Sequence, residues 1–163
     1  MSTPAVTIRP ETAVDNAAIR AVNEAAFGRE NEANLVEALR VAGADVLSLV
    51  AVRKDEVVGH ILFCRVQIET IEGVLSATSL SPMAVLPEYQ NQGIGSQLVH
   101  RGLELLRAQN ESIVTVLGHP EFYPRFGFRP AHQFNIACPY DLPPDTWMLL
   151  KLSPGVLQRQ REP

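Results

Sequence analysis

The sequence predicts an α/β fold on a mixed sheet, and three observations carry that reading. An apolar run, 80–86, leads through Gln90-Asn91-Gln92-Gly93-Ile94-Gly95-Ser96 into a patterned helix, 94–107, and then into a second apolar run, 112–117. Strand, helix and strand in that order give a parallel pair with a right-handed crossover. Residues 46–53 and 57–67 flank the polar turn Lys54-Asp55-Glu56, a hairpin signal that adds antiparallel neighbours. The 163 residues, 46% of them apolar, are enough for one domain with a sizeable core.

Taken in order, residues 6–9 read as a short first strand ended by Pro10. Thr12 or Asp15 can cap a helix running to about residue 27, with Ile19, Val22 and Ala26 on one stripe and Gly28 breaking it. A second helix, 30–41, turns Leu35, Val36 and Leu39 inward and stops at Gly43. The hairpin follows, and the turn at Glu72-Gly73 leads to a third long strand, 74–86. Pro82 cannot donate to a ladder, so it marks either a bulge or an edge. The next helix places Ile94, Leu98, Gly102 and Leu105 on one face. A short helix over 120–126 and two last strands, 128–131 and 146–152, complete the chain, with a proline-rich loop at 138–145. No repeat, low-complexity segment or linker interrupts it, and the tail after Pro154 reads as loose.

Composition narrows the function classes. Fourteen Lys and Arg against eighteen Asp and Glu give a net charge of −4, with no basic cluster to track a phosphate backbone, which argues against nucleic acid as a partner. A mildly acidic surface suits a cationic acceptor such as an amine. Cys64 and Cys138 fit neither a metal-ligand spacing nor a disulfide framework and read as small core hydrophobes, so no metal is expected. The N-terminus has no signal-peptide pattern, and no apolar run reaches the ~20 residues of a membrane span. A cytoplasmic protein that engages no membrane is the expectation.

The chemistry centres on residues 90–96. A helix start gathers backbone N–H groups and the positive end of the helix dipole on one point, and Gly93 and Gly95 let a bound group approach the backbone. The competing reading is a connection with glycines for tight packing. A P-loop needs Lys-Ser or Lys-Thr after its last glycine, but Ser96-Gln97 follows Gly95. A dinucleotide fingerprint needs a third small residue where Leu98 stands, and no acidic residue follows at ribose distance before Glu111. The cradle therefore suits a pyrophosphate that is neither ATP's nor NAD's.

Residues 80–98, Leu-Ser-Pro-Met-Ala-Val-Leu-Pro-Glu-Tyr-Gln-Asn-Gln-Gly-Ile-Gly-Ser-Gln-Leu, resemble the acetyl-CoA-binding motif of the GNAT superfamily of N-acetyltransferases. Gln90, Gly93 and Gly95 match its Gln-or-Arg, two residues, Gly, any residue, Gly-or-Ala core. Downstream, Leu117-Gly-His-Pro-Glu-Phe-Tyr-Pro-Arg-Phe-Gly-Phe128 resembles the family's strand, short helix and Tyr-x-x-x-Gly-Phe turn. Two motifs in the right order are more specific than either alone, and the likeness extends over nearly the whole chain, nearest to the bacterial YhbS-like branch.

The resemblance implies a central mixed, mostly antiparallel sheet of six to seven strands, splayed between the fourth and fifth, with about four flanking helices. It implies acetyl-CoA as co-substrate, held by Met83, Ala84, Val85, Gln90, Asn91, Gln92, Gly93, Ile94, Gly95, Ser96, Gly118, Phe122 and Tyr123. Backbone groups near Met83 and Val85 would take the pantetheine arm and supply the oxyanion donor, and uncharged Gln90 would meet a phosphate or ribose edge. Tyr123 would be the general acid for the leaving thiolate; apart from the resemblance the residue reads first as an aromatic packed with Phe122 and Phe126. His119, where the family commonly has Asn, Glu24 on the first helix and His60 in the hairpin are candidate bases, beside a base acting through water. The loops at 27–31 and 138–145 would set the amine acceptor. The expected activity is acetyl transfer by direct attack of a primary amine of a small molecule or protein, in a monomer or homodimer; the alternative is a catalytically silent acyl-CoA sensor or interaction module.

Overall fold

The computed structural model of the chain describes residues 5–71, 73–138 and 141–153. The elements are β1 (Thr7–Pro10), α1 (Asn16–Phe27), α2 (Asn31–Val41), β2 (Asp45–Arg53), β3 (Glu56–Thr70), β4 (Gly73–Val85), α3 (Ile94–Ala108), β5 (Ile113–Leu117), β6 (Arg129–Pro130) and β7 (Trp147–Lys151). The seven strands hydrogen-bond in the order β1-β2-β3-β4-β5-β7-β6. β1 with β2, β2 with β3, β5 with β7 and β6 with β7 pair antiparallel, whereas β4 and β5 run parallel from Thr78↔Val114 to Leu80↔Val116. The mixed sheet and its single parallel step are those the sequence predicts.

The described residues form two compact units: those through Cys64 with Ser81–Leu105, and those of Arg65–Leu80 with those from Leu106 to Ser153. In the first, the hairpin turns at Lys54 and Asp55, both with positive φ, and pairs Val50 with His60 and Ser48 with Leu62. Leu47–Ala51 and Val58–Cys64 are buried without alternation, because both faces of these strands are covered. Ile19 of α1 and Val36 of α2 pack on Val50 and Leu62. On the other face α3 lies close: a Cβ at Gly59 would meet Leu98 Cδ1 at 3.2 Å and Ile94 Cγ2 at 3.3 Å. In the second unit, Phe134, Ile136 and Trp147 close a core over Ile68, Ala77, Ile113 and Leu149.

Several boundaries differ from expectation. Of the two expected caps, Asp15 stands at the N-cap position of α1, which begins at Asn16, while Thr12 opens a separate 3-10 turn, Ala13–Asp15. Leu35 is 40% exposed, and Ala33 joins Val36 on the inner face of α2. In α3 the stripe continues through Leu103 and Leu106, leaving Leu105 half-buried, since 3.6-residue periodicity drifts away from a strict four-residue step. The fourth helix proves to be a 3-10 turn, Tyr123–Phe126, with Pro124 inside it and Gly127 in the left-handed region closing it, leaving three α-helices among the described residues. The strand expected at 128–131 pairs only at Arg129 and Pro130. Glu72, half of the expected turn, and the tail after Pro154 lie outside the described residues, as do two positions of the 138–145 loop. Among the described residues, no helix is long and apolar enough to cross a membrane.

Candidate active site

β4 runs unbroken through Pro82 to Val85, then gives way to a 3-10 turn, Pro87–Tyr89, and the loop that opens α3. Met83 and Val85 are half-buried on one face of the strand while Ala84 is buried on the other, so only the backbone of Ala84 can meet a ligand. The loop bends through two left-handed residues, Asn91 at φ 63° and Gly93 at φ 89°. Asn tolerates that region and Gly favours it, which explains both residue types there. Gln97 N–H reaches the Gly93 carbonyl at 3.1 Å as the helix begins. The amides of Ile94 and Gly95 belong to the first turn, whose N–H groups lack intrahelical acceptors. A Cβ on Gly95 would have only Met83 within 4 Å, its Cε at 3.4 Å. Beside Gly95 the nearest obstacle to an added Cβ is thus a flexible side chain, and a helix start of this kind suits an anionic group set against the backbone.

The side chains of the loop are used unevenly. Gln90 Nε2 donates to the Val85 carbonyl at 2.9 Å and Gln92 Nε2 to the Glu88 carbonyl at 3.2 Å, so both amides brace the loop. Ile94 is buried and anchors α3, while Asn91 and Gly93 are exposed and Ser96 half-buried.

Tyr123, in the second unit, is 8% exposed, and burial pushes its phenol up to about 12. Its ring meets Phe122 edge-on at 5.0 Å and Phe128 at 5.8 Å. A Cβ on Gly118 would stand 2.6 Å from Tyr123 Cε2, so the glycine of this motif makes room for the ring. His119 accepts the Phe122 amide with its carbonyl, but its side chain is 83% exposed, with Nδ1 3.9 Å from Glu121. Glu24 is salt-bridged to Arg20 at 3.0 Å.

His60, by contrast, is fully buried, and it belongs to a polar chain that the sequence did not reveal. Its Nδ1 lies 3.2 Å from Asn23 Nδ2, and its Nε2 lies 2.9 Å from Ser48 Oγ. Ser48 donates to Glu11, which receives two hydrogen bonds from Arg40, at 2.8 and 3.1 Å. Burial opposes the Glu11 carboxylate, but Arg40 and Ser48 outweigh it and hold its pKa below the usual range. Burial also lowers His60, to about 4. With both ring nitrogens engaged, His60 has no lone pair to offer a substrate, which removes it from the candidate bases. The available signal was a Ser and a His at odd places in two apolar strands.

Residues 7–131 match the family model of the acetyltransferase (GNAT) domain. YjhQ of Escherichia coli K12, named an uncharacterized N-acetyltransferase, is 39% identical over 148 residues, covering 85% of this chain and 80% of its own length. YhbS of the same strain is 35% identical over 132 residues, covering 80% and 78%. The crystal structure of Escherichia coli YhbS with CoA superposes with a TM-score of 0.86 at 30% identity, over 97% of this chain and 88% of that one. A GNAT acetyltransferase from Brucella melitensis in complex with acetyl-CoA gives a TM-score of 0.77 at 35% identity, over 92% and 90%. Strand order, glycine cradle and sequence relatives agree, and the chain belongs to the GNAT family of acetyltransferases.

Proposed function

We propose that this acetyltransferase takes its acyl group from acetyl-CoA and passes it by direct attack to a primary amine of a small molecule or protein. One observation carries the reading: a left-handed Gly93 opens the first turn of α3, and a Cβ on Gly95 would meet only the flexible Met83 within 4 Å. Negative charge at a helix start is stabilised by the unpaired amides and the dipole. Backbone N–H groups at Met83 or Val85 are the proposed donors to the tetrahedral oxyanion, where hydrogen bonds aimed at developing charge lower the barrier. Gln90 supports the cradle by tying its loop to Val85 rather than by contributing charge.

Tyr123 is the proposed proton donor to the departing thiolate, its hydroxyl intact at neutral pH because burial pushes it up to about 12. The attacking amine must be neutral, which for a lysine-like group costs about 4–5 kcal/mol at pH 7. Glu24 and His119 are the proposed bases, separable by the pH–rate profiles of Glu24→Gln and His119→Ala. Calorimetric titration with acetyl-CoA, followed by thiol release with a panel of primary amines, tests the whole reading. Binding with turnover supports it, binding without turnover makes the chain a silent acyl-CoA sensor, and no binding removes its basis.

A further inference from the structure

The buried chain through His60 has a polarity that can be read from end to end. Asn23 Nδ2 donates to the Ile19 carbonyl at 3.0 Å, which fixes that end of the amide as nitrogen. The same nitrogen faces His60 Nδ1 at 3.2 Å, and because an NH₂ group can only donate, Nδ1 is unprotonated and Nε2 carries the hydrogen. Nε2–H then points at Ser48 Oγ, and the Ser48 hydroxyl hydrogen goes to the Glu11 carboxylate. From Asn23 through His60 and Ser48 the donors run toward Glu11, an arrangement in which each bond strengthens the next. Arg40 completes it from the last turn of α2.

The chain therefore begins in α1 and ends in α2, the helices joined by the loop at 27–31, and crosses β2 and β3 between them. Asn23 is fully buried, and its Oδ1 has no hydrogen-bond partner, so its amide serves the bonds to Ile19 and His60 alone. Ser48 and His60 lie on the sheet face that α1 and α2 cover, beside Val50 and Leu62. Apolar packing buries that face, but the hydrophobic effect is non-directional and holds the helices' rotation and register less sharply. Directed hydrogen bonds fix both. We infer that His60 and Asn23 are positioning residues that hold the α1–α2 loop in the place an acceptor amine requires; this rests on the acetyltransferase reading and on the family resemblance by which the loop at 27–31 would set the acceptor.

His60→Leu and Asn23→Leu remove the directed bonds, whereas the amide of His60→Gln can still accept from Asn23 and donate to Ser48. Steady-state rates use the amine that the wild-type enzyme turns over best in the panel above. The leucine variants should raise the acceptor KM roughly tenfold or more with kcat changed less than about twofold, the pattern of lost uniform binding. Acetyl-CoA affinity by calorimetry should stay within about twofold, and His60→Gln should restore most of the acceptor KM. An unchanged acceptor KM in a folded leucine variant overturns the inference, as does a His60→Gln enzyme no better than His60→Leu. Should the leucine variants not fold, ¹⁵N spectra of wild-type His60 decide: an Nε2–H tautomer supports the polarity, and Nδ1–H overturns it. If the wild type turns over no amine, the enzyme reading has failed separately. Amide exchange at 24–31 in Asn23→Asp then judges the positioning: faster exchange supports it and unchanged exchange overturns it.

Discussion

Tyr123 shows how burial shapes a single functional group in two directions. A phenol pushed up to about 12 is protonated throughout neutral pH, as a proton donor must be. Yet the same shift makes it a weak acid toward a thiolate, whose conjugate thiol has a pKa of about 8.5. Completing the transfer across that gap of roughly 3.5 units would cost about 5 kcal/mol, so in the proposed role the hydroxyl would lend a hydrogen bond as charge develops on sulfur and give up its proton only late in the step. Tyr123→Phe keeps the edge-on contacts to Phe122 and Phe128 and deletes only that donor. Its kcat should fall roughly 10- to 100-fold, at or below the low end for one acid–base group, with acetyl-CoA affinity little changed. Single-turnover measurement is needed, because slow product release would mask the loss. A full single-turnover rate would return Tyr123 to the packing of its motif.

At the scale of one element, α3 has two glycines with opposite duties. Gly95 faces open space, with a flexible Met83 at contact distance, so a larger side chain there leaves the fold intact and intrudes on the cradle. Gly95→Val should weaken acetyl-CoA binding by at least about tenfold, near 1.4 kcal/mol, while the thermal midpoint holds. Gly102 lies two turns further along against a buried ring, where a Cβ would stand 2.6 Å from Phe63 Cζ. Overpacking costs about 1–3 kcal/mol, and replacing a mid-helix Gly returns up to about 1 kcal/mol of propensity. Gly102→Ala should therefore lower stability by about 1–2 kcal/mol in urea titration, leaving acetyl-CoA affinity largely unchanged. Matching losses of binding in both variants would mean that the cradle has no special place on α3.

Across the whole molecule the buried polar groups predict the acid limb of stability. His60 is held neutral, with its pKa lowered from 6.5 to about 4. A base with a depressed folded pKa contributes full stability above its unfolded value and loses it as pH falls toward the folded one. Stability should thus decline by about 3 kcal/mol between pH 6.5 and 4. A second decline follows below pH 3.8 and ends near 2, where Asp15 loses the hydrogen bonds from Arg9 and Thr12 that keep its pKa low. Urea midpoints measured from pH 7 to 3 test the first step. It should vanish in His60→Gln, which has nothing to titrate, and its persistence there would assign the acid limb to the carboxylates alone.

The order of elements, the parallel step and the glycine turn that opens α3 were legible in the sequence because each rests on local signals: apolar runs, turn residues and a glycine pattern at a helix start. The hairpin at Lys54-Asp55 and the breaks at Gly28 and Gly43 are of the same kind, since backbone preferences act over a few residues. Leu35 was misplaced because periodicity marks a face without saying how far a neighbouring surface reaches across it. The expected helix at 120–126 shrank to a single 3-10 turn, where Pro124 and Gly127 prevailed over the aromatic pattern. Gln90 reads in sequence as a ligand contact, and only the tertiary structure shows that one N–H of its exposed amide goes to Val85, five residues earlier. The partners of His60 come from positions 11, 23, 40 and 48, and no spacing rule joins them. The sequence by itself determined which backbone could cradle an anion; only the tertiary structure decided which polar side chains are spent inside the protein, because that depends on what burial brings within hydrogen-bonding distance.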